Sequence, residues 1–429
     1  MKIKIIQNPI NLSIELPGSK SITLRNLILA SLANGITQII SPADCDDTRE
    51  MISCLKSLGV SIKTSDNFQV ITVVGTGGRF RDGVICLNLG LSGTSARFLI
   101  ALSLLRKTIT HLTGKGKLNE RPNYPLLDAI EQLGGKVFSG KNGCLPVSIK
   151  GPQEIGRLVN MPGNLSSQFF SALLQIAPLL PGGLKLTVAG ELISRPYVEI
   201  TLNEMKKYNV EVENDFGGVY KVRPQQYKAG SKLIEGDASA ASYFAALTLI
   251  HGGQVAFRNL PPKTTQGDFR FLMICTQLGA QLYEKDSKTI LEGPPAGKIR
   301  KVKNPIDCRD IPDAALTLIA IAPLISGTTL ITGLGTLKHK ECDRIEAPAR
   351  ELRKLGIEVK TGPDFIEIGD FNIAVHKPDR IININTYQDH RMAMSFAVLG
   401  TRIGNLNIKN PEVVGKTYPQ FWNDLARLT

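Results

Sequence analysis

The sequence predicts an α/β fold built from six βαβ-type repeats arranged as two lobes. Two observations carry this. Five segments share one plan, an amphipathic helix closed by Gly or Asn and then a strand: "MISCLKSLGVSI" closes at Gly59, "LLDAIEQLGGKV" at Gly134, "LNEMKKYNVEV" at Asn209, "FLMICTQLGAQL" at Gly279 and "ARELRKLGIEV" at Gly356, at intervals of 75, 75, 70 and 77 residues. Between them lie six helices of another kind, "SKSITLRNLILASLANG", "LSGTSARFLIALSLL", "LSSQFFSALLQIAPLL", "DASAASYFAALTLIHGG", "IPDAALTLIAIAPLISG" and "DHRMAMSFAVLG". Each opens with small or charged polar residues and then turns apolar on nearly every face, the mark of a buried helix.

Three repeats fill 20–234 and three fill 235–429, with "YKAGSKLIEGD" at 227–237 as the expected linker. Because the units are alike, the polar helix starts should gather on one face. There the free N–H groups and the positive dipole ends would combine with Lys20, Arg25, Arg97 and Arg391. The plainer reading is that the polar starts only cap their helices. The stretch "LPGSKSITLRN" shows both readings. It lacks P-loop spacing, since only Pro17 and Gly18 precede Ser-Lys-Ser, yet it sets Lys20, Ser21 and Arg25 at a helix start.

Composition bounds the function. The chain has 429 residues, 42% hydrophobic and 21% charged, as in a globular protein. No apolar run approaches the roughly 18 residues that span a bilayer. The first residues lack a signal-peptide pattern, and the seven scattered Cys form no Cys-x-x-Cys. These features point to the cytoplasm and to no membrane partner. The formal charge of +13 raises nucleic-acid binding as an alternative. Against it, the basic residues are spread, densest in "GKIRKVKNP" at 297–305, and aromatics make up only 6%. Small phosphorylated anions call for the same sign of field.

The usual cofactor and metal motifs are absent, and the five His are separated. What remains is cations, carboxylates and one His at helix starts. "DIPDAAL" sets Asp310 and Asp313 at the mouth of a buried helix, as caps or as ionised carboxylates able to accept a proton. "HKECDRIEA" holds Lys340, Glu341, Asp343 and Arg344; Asp343 with Glu346 fits a capping box, which leaves the other three to a charged loop or a site. "QDHRMAM" puts His390 and Arg391 against the helix dipole, which favours a bound anion. "NERPNYPLLD" offers Arg121, "LSSQFF" offers Ser166, Ser167 and Gln168, and "VGKTYPQF" offers Lys416.

In order, "PGSKSITLRN", "GTSAR", "ERP", "SSQ", "SRPY", "EGDASAASYF", "DIPDAA", "KECDRIEA", "DHRMAM" and "GKTYP" closely resemble the 5-enolpyruvylshikimate-3-phosphate synthase family of enolpyruvyl transferases, over nearly the whole chain. The resemblance implies a two-lobed inside-out α/β barrel that closes over its substrates, with residues 1–19 packed in the C-terminal lobe. It implies transfer of the enolpyruvyl group of phosphoenolpyruvate to the 5-hydroxyl of shikimate 3-phosphate, through a tetrahedral intermediate, by a monomer with no metal or organic cofactor. On it, Lys20, Ser21, Arg25, Ser166, Ser167, Gln168, Ser194, Asp313 and Lys340 hold shikimate 3-phosphate. Lys20, Gly93, Arg121, Gln168, Arg344, Arg391 and Lys416 hold phosphoenolpyruvate. Asp313 is the base for the 5-hydroxyl, and Glu341 and Lys20 are the candidates for proton transfer at the methylene carbon, with His390 assisting.

Three positions depart from the family pattern: Leu91 and Thr336 each stand where Asn is usual, and Phe98 where Pro is usual. The first and last weaken two expected ligand contacts, and Phe98 alters packing behind Gly93. Gly93 itself is kept, which implies inhibition by glyphosate in competition with phosphoenolpyruvate. The neighbouring alternative is a related enolpyruvyl transferase with another acceptor, such as UDP-N-acetylglucosamine.

Overall fold

The computed structural model describes residues 1–215, 218–296, 298–301, 305–372 and 378–429; of the basic stretch 297–305, residues 297 and 302–304 lie outside the described residues. The chain divides into two compact units, an N-terminal one of Gly18–Ile234 and a C-terminal one of Met1–Pro17 with Glu235–Thr429.

Helices alternate in kind along the chain. The N-terminal unit holds α1 (Lys20–Leu32), α2 (Asp46–Ser57), α3 (Gly93–Leu102), α4 (Tyr124–Gln132), α5 (Ser167–Ile176) and α6 (Pro196–Lys207). The C-terminal unit holds α7 (Ala238–His251), α8 (Arg270–Gln277), α9 (Ala315–Ile321), α10 (Glu346–Arg353), α11 (His390–Ile403) and the terminal α12 (Phe421–Ala426). The odd-numbered helices are the buried ones; every residue of α7 and α9 is buried. The even-numbered helices α2 to α10 bury one face only.

The repeat is clearest in residues 85–150. Strand Ile85–Asn88 leads into α3, and Thr110–Thr113 returns parallel to it. After α4, the hairpin of Lys136–Ser139 and Val147–Lys150 adds antiparallel to the same sheet. The same four-strand order recurs in five sheets. The residue that closes each amphipathic helix takes positive φ, 93° at Gly59 and 61° at Asn209, so that the chain can turn straight into the hairpin. Each unit has its own apolar core: Leu24, Leu99, Leu173 and their neighbours in one, and Phe244, Leu318, Phe396 and theirs in the other. Each such side chain contributes about 1.5–3 kcal/mol by leaving water.

Two features differ from a plain run of six repeats. The strand that precedes α1, Ile10–Ile14, pairs in parallel with Gly253–Phe257 in the C-terminal unit. The strand that precedes α7, Ser231–Leu233, pairs in parallel with Gln38–Ile40 in the N-terminal unit. The expected linker 227–237 is therefore largely structural, and Tyr227 is buried with its hydroxyl donating to the Gln175 carbonyl at 2.7 Å. The sixth repeat is also incomplete among the described residues. Ile382–Ile384 pairs with Leu406–Ile408, and no hairpin follows. Residues 1–3 take the hairpin's place: Ile3 N–H donates to Leu406 O, and Ile408 N–H to Met1 O. After Ile408 the chain runs instead into a 3-10 turn and α12.

Candidate active site

In the C-terminal unit the starts of the three buried helices converge. Asp313 lies in the turn before α9, two residues ahead of its first helical residue, and does not cap it. Its Oδ1 accepts from Arg344 Nη1 at 3.0 Å and lies 3.7 Å from Lys340 Nζ. Its Oδ2 accepts from Arg391 Nη2 at 2.9 Å. Glu341 bridges two more cations, with Oε2 accepting from Arg344 Nη2 and Oε1 facing Lys416 Nζ, both at 2.9 Å. Four cations are thus set around two partly exposed carboxylates. Charge-assisted contacts of this kind hold long side chains in place before any ligand arrives.

Behind them lies Asp389, which is fully buried. It caps α11 by accepting from Arg391 N–H at 2.9 Å, and it takes Arg344 Nε at 2.7 Å. Burial alone would lower the Arg344 pKa, but Asp389, Glu341 and Asp313 outweigh it and hold the guanidinium charged. Reading the sequence alone put His390 and Arg391 in the site and passed over Asp389. An Asp directly before an apolar helix is the signal that finds it. His390 is buried, with Nδ1 at 3.7 Å from Asp389 Oδ1. Of the expected capping box, Asp343 does its half, accepting from Ile345 and Glu346 N–H groups at 3.0 and 3.1 Å.

In the N-terminal unit the starts of α1, α3 and α5 also meet. Lys20 Nζ pairs with Asp47 Oδ2 at 2.9 Å, and Asp47, in the first turn of α2, is a second buried carboxylate that sequence reading missed. Ser166 caps α5, accepting from Gln168 N–H, and Gln168 Nε2 donates to Thr94 Oγ1 at 3.1 Å. Ser167 and Ser194 are buried, and Ser194 holds φ at 50° just before α6. Arg121 and Arg97 flank Gly93 so closely that a Cβ there would lie 2.4 Å from Arg121 Nη1 and 3.0 Å from Arg97 Nη1.

Arg25 is placed more deeply than a surface cation. It is 1% exposed. Its Nε donates to Thr201 Oγ1 at 2.7 Å, Nη1 to Ser21 O at 2.8 Å, and Nη2 to Tyr197 O at 2.9 Å. The ring of Phe98 lies 5.3 Å beneath the guanidinium. Burial lowers its pKa to about 10, partly offset by Tyr197 and Glu204. Of the departing positions, Leu91 is exposed at the start of α3 and Thr336 is half-buried in the 3-10 turn Gly335–His339.

No group of three or more His, Cys, Asp or Glu among the described residues could hold a metal ion. No helix among them is long and apolar enough to cross a membrane.

Known proteins resemble this chain in sequence and in fold. The chain is 39% identical over 423 residues to the 3-phosphoshikimate 1-carboxyvinyltransferase of Pseudoalteromonas translucida, covering 98% of this chain and 97% of that one. It is 38% identical over 424 residues to the Colwellia psychrerythraea protein of the same name, with the same coverage. The fold matches EPSP synthase from Acinetobacter baumannii with a TM-score of 0.79 at 24% identity, over 99% of this chain and 97% of that one. It also matches the enolpyruvyl transferase NikO from Streptomyces tendae with a TM-score of 0.74 at 14% identity, over 100% and 96%. These likenesses support the two-lobed α/β fold class. The family described as EPSP synthase (3-phosphoshikimate 1-carboxyvinyltransferase) matches residues 5–425, and this chain belongs to it.

Proposed function

We propose that the chain transfers the enolpyruvyl group of phosphoenolpyruvate to the 5-hydroxyl of shikimate 3-phosphate and releases phosphate. The observation that carries this reading is the set of Lys340, Arg344, Arg391 and Lys416 around Asp313 and Glu341. Cations held by carboxylates at helix mouths suit multiply charged anions and the charge that develops in an addition–elimination. Asp313 takes the 5-hydroxyl proton as the oxygen attacks C2 of the enolpyruvyl group, and a proton is added at C3. Loss of that proton with phosphate then restores the double bond. Glu341 and Lys20 are the groups we assign to the C3 proton, with His390 assisting.

Within each unit the roles divide by chemistry. Lys20, Ser21, Arg25, Ser166, Ser167, Gln168 and Ser194 in the N-terminal unit, and Asp313 and Lys340 in the C-terminal unit, serve shikimate 3-phosphate. Lys20, Gly93, Arg121 and Gln168, and separately Arg344, Arg391 and Lys416, serve phosphoenolpyruvate. Arg25 acts by holding the Ser21 carbonyl and the start of α1 as much as by its charge, since its donors already reach Thr201, Tyr197 and Ser21. The two units act as the two lobes of a cytoplasmic monomer that needs no metal or organic cofactor.

The test is phosphate release from purified protein with phosphoenolpyruvate, with and without shikimate 3-phosphate. Release only with both supports the reading. Release with UDP-N-acetylglucosamine instead would overturn the acceptor, and none with either would overturn the activity.

A further inference from the structure

Glu351, on α10, is a fully buried carboxylate that the reaction described above does not use. Three donors meet its charge. Its Oε2 accepts from Asn385 N–H at 3.0 Å and from Lys354 Nζ, and its Oε1 accepts from the Tyr387 hydroxyl at 2.7 Å. Lys354 Nζ also donates to Asn383 O at 3.2 Å. One helix thus grips the segment that runs from the strand Ile382–Ile384 to the start of α11. Burial first, and then the bond to Glu351, push the Tyr387 hydroxyl up to about 12, so it keeps the proton it donates.

That segment is strained. Tyr387 and Gln388 both hold left-handed backbone, with φ at 52° and 59°. Neither is Gly or Asn, and such residues stay left-handed only where their surroundings fix them. Gln388 is exposed, so the fixing falls to Tyr387 and the residues before it. The turn lets Asp389 N–H donate to Thr386 O at 2.8 Å and carries the Asp389 carboxylate inward. There it takes Arg344 Nε at 2.7 Å and Arg391 N–H at 2.9 Å, and Arg391 Nη2 reaches Asp313 at 2.9 Å.

We propose that Glu351 is a positioning residue: through Asn385 and Tyr387 it holds the left-handed turn at 387–388, and the turn sets Asp389 and with it the guanidinium groups of Arg344 and Arg391. This rests on the reading of Arg344 and Arg391 as cations that hold phosphoenolpyruvate. If the grip weakens, the turn relaxes in a share of the molecules, and the apparent affinity falls with the share that remains competent. Saturating substrate draws the molecules back to the native turn. The loss therefore appears in KM and not in kcat.

The experiment is steady-state phosphate release by the full chain. Tyr387→Phe removes the hydroxyl that Glu351 holds and little else. Its KM for phosphoenolpyruvate should rise about three- to tenfold, with kcat and the KM for shikimate 3-phosphate within about twofold of native. Glu351→Gln keeps the shape but turns one acceptor into a donor, and should raise the same KM at least as much. Adding Gln388→Gly to Tyr387→Phe should return the KM to within about twofold of native, because glycine takes positive φ at no steric cost. A merely structural role predicts otherwise: inactive protein lowers kcat at unchanged KM, and a glycine, which costs chain entropy, repairs nothing. An unchanged KM for phosphoenolpyruvate in Tyr387→Phe, a fall in kcat alone, or a rise that Gln388→Gly leaves in place overturns the proposal while leaving the activity standing. A readout independent of turnover is the Nε–H resonance of Arg344 in 15N-arginine-labelled protein without substrate. Tyr387→Phe should speed its exchange with solvent severalfold, and Gln388→Gly should slow it again. Unchanged exchange overturns the proposal even if no phosphate is released.

Discussion

Arg344 and Asp389 form a buried pair, Nε to Oδ2 at 2.7 Å, with the guanidinium 1% exposed and the carboxylate not at all. The same carboxylate caps α11, so one residue holds both the helix start and the cation that faces Asp313 and Glu341. Removing one partner of such a pair strands a buried charge. Asp389→Ala should therefore destabilise the C-terminal unit by about 3 kcal/mol, the low end for a broken buried pair because Arg344 keeps two other carboxylates. Urea unfolding followed by Trp422, which lies in that unit, measures it. A loss within the roughly 0.5 kcal/mol of an ordinary surface change would overturn the claim.

Gly93→Ala should weaken phosphoenolpyruvate binding far more than folding. The new Cβ meets the tips of Arg121 and Arg97, which are flexible and can move aside, so stability should change little. The guanidinium positions cannot be kept, so the KM for phosphoenolpyruvate should rise by roughly tenfold or more, the cost of a misplaced positioning group. Glyphosate should compete with phosphoenolpyruvate in the native protein and lose potency in Gly93→Ala. Inhibition that phosphoenolpyruvate does not relieve would count against this site.

Phe98→Ala should cost about 3–5 kcal/mol, since the ring is buried and its removal leaves a cavity. It should also loosen Arg25, which then loses the face beneath its guanidinium. Phe98→Leu fills the space without the ring and separates the two effects. It should keep most of the stability and still raise the KM for shikimate 3-phosphate. Equal KM values in Phe98→Leu and the native protein would remove the ring from the site.

His251 makes stability fall with acid. It is buried, with Nε2 at 2.9 Å from Thr401 Oγ1, and burial, aided by Arg402, lowers its pKa from 6.5 to about 4. Between these values the unfolded chain takes up a proton that the folded chain refuses. Its stabilisation is complete above pH 6.5 and is lost as the pH falls toward 4, a change of about 3 kcal/mol. Urea midpoints from pH 7.5 to 4.5 should fall in the native protein, and fall less in His251→Gln. Parallel slopes would exclude His251 as the source.

Thiol labelling should find one fast cysteine. Cys86 is exposed and Cys144 half-exposed, whereas Cys45, Cys54, Cys275, Cys308 and Cys342 are buried, and burial raises the pKa of each. An aromatic disulfide reagent should react quickly at Cys86, slowly at Cys144, and with the rest only after unfolding. Cys86→Ser should remove the fast phase; its persistence would place the reactive thiol elsewhere.

The sequence by itself determined the repeat, the two kinds of helix and most of the cations. These depend on local rules: Gly59, Gly134, Asn209, Gly279 and Gly356 stop helices wherever they stand, and a helix that is apolar on every side has to be buried. The motifs around Lys20, Asp313, Lys340 and Arg391 were legible for the same reason, being short runs at helix starts. Only the tertiary structure decided who pairs with whom. That Ile10–Ile14 joins Gly253–Phe257, or that residues 1–3 complete the sixth sheet, depends on strand edges far apart in sequence, which no periodicity records. The carboxylates Asp47 and Asp389 stand in a first helical turn and at a helix cap, positions that carry no mark of a site in the sequence. Their weight comes from the cations they face after folding, where burial removes water and makes each charge depend on its partner.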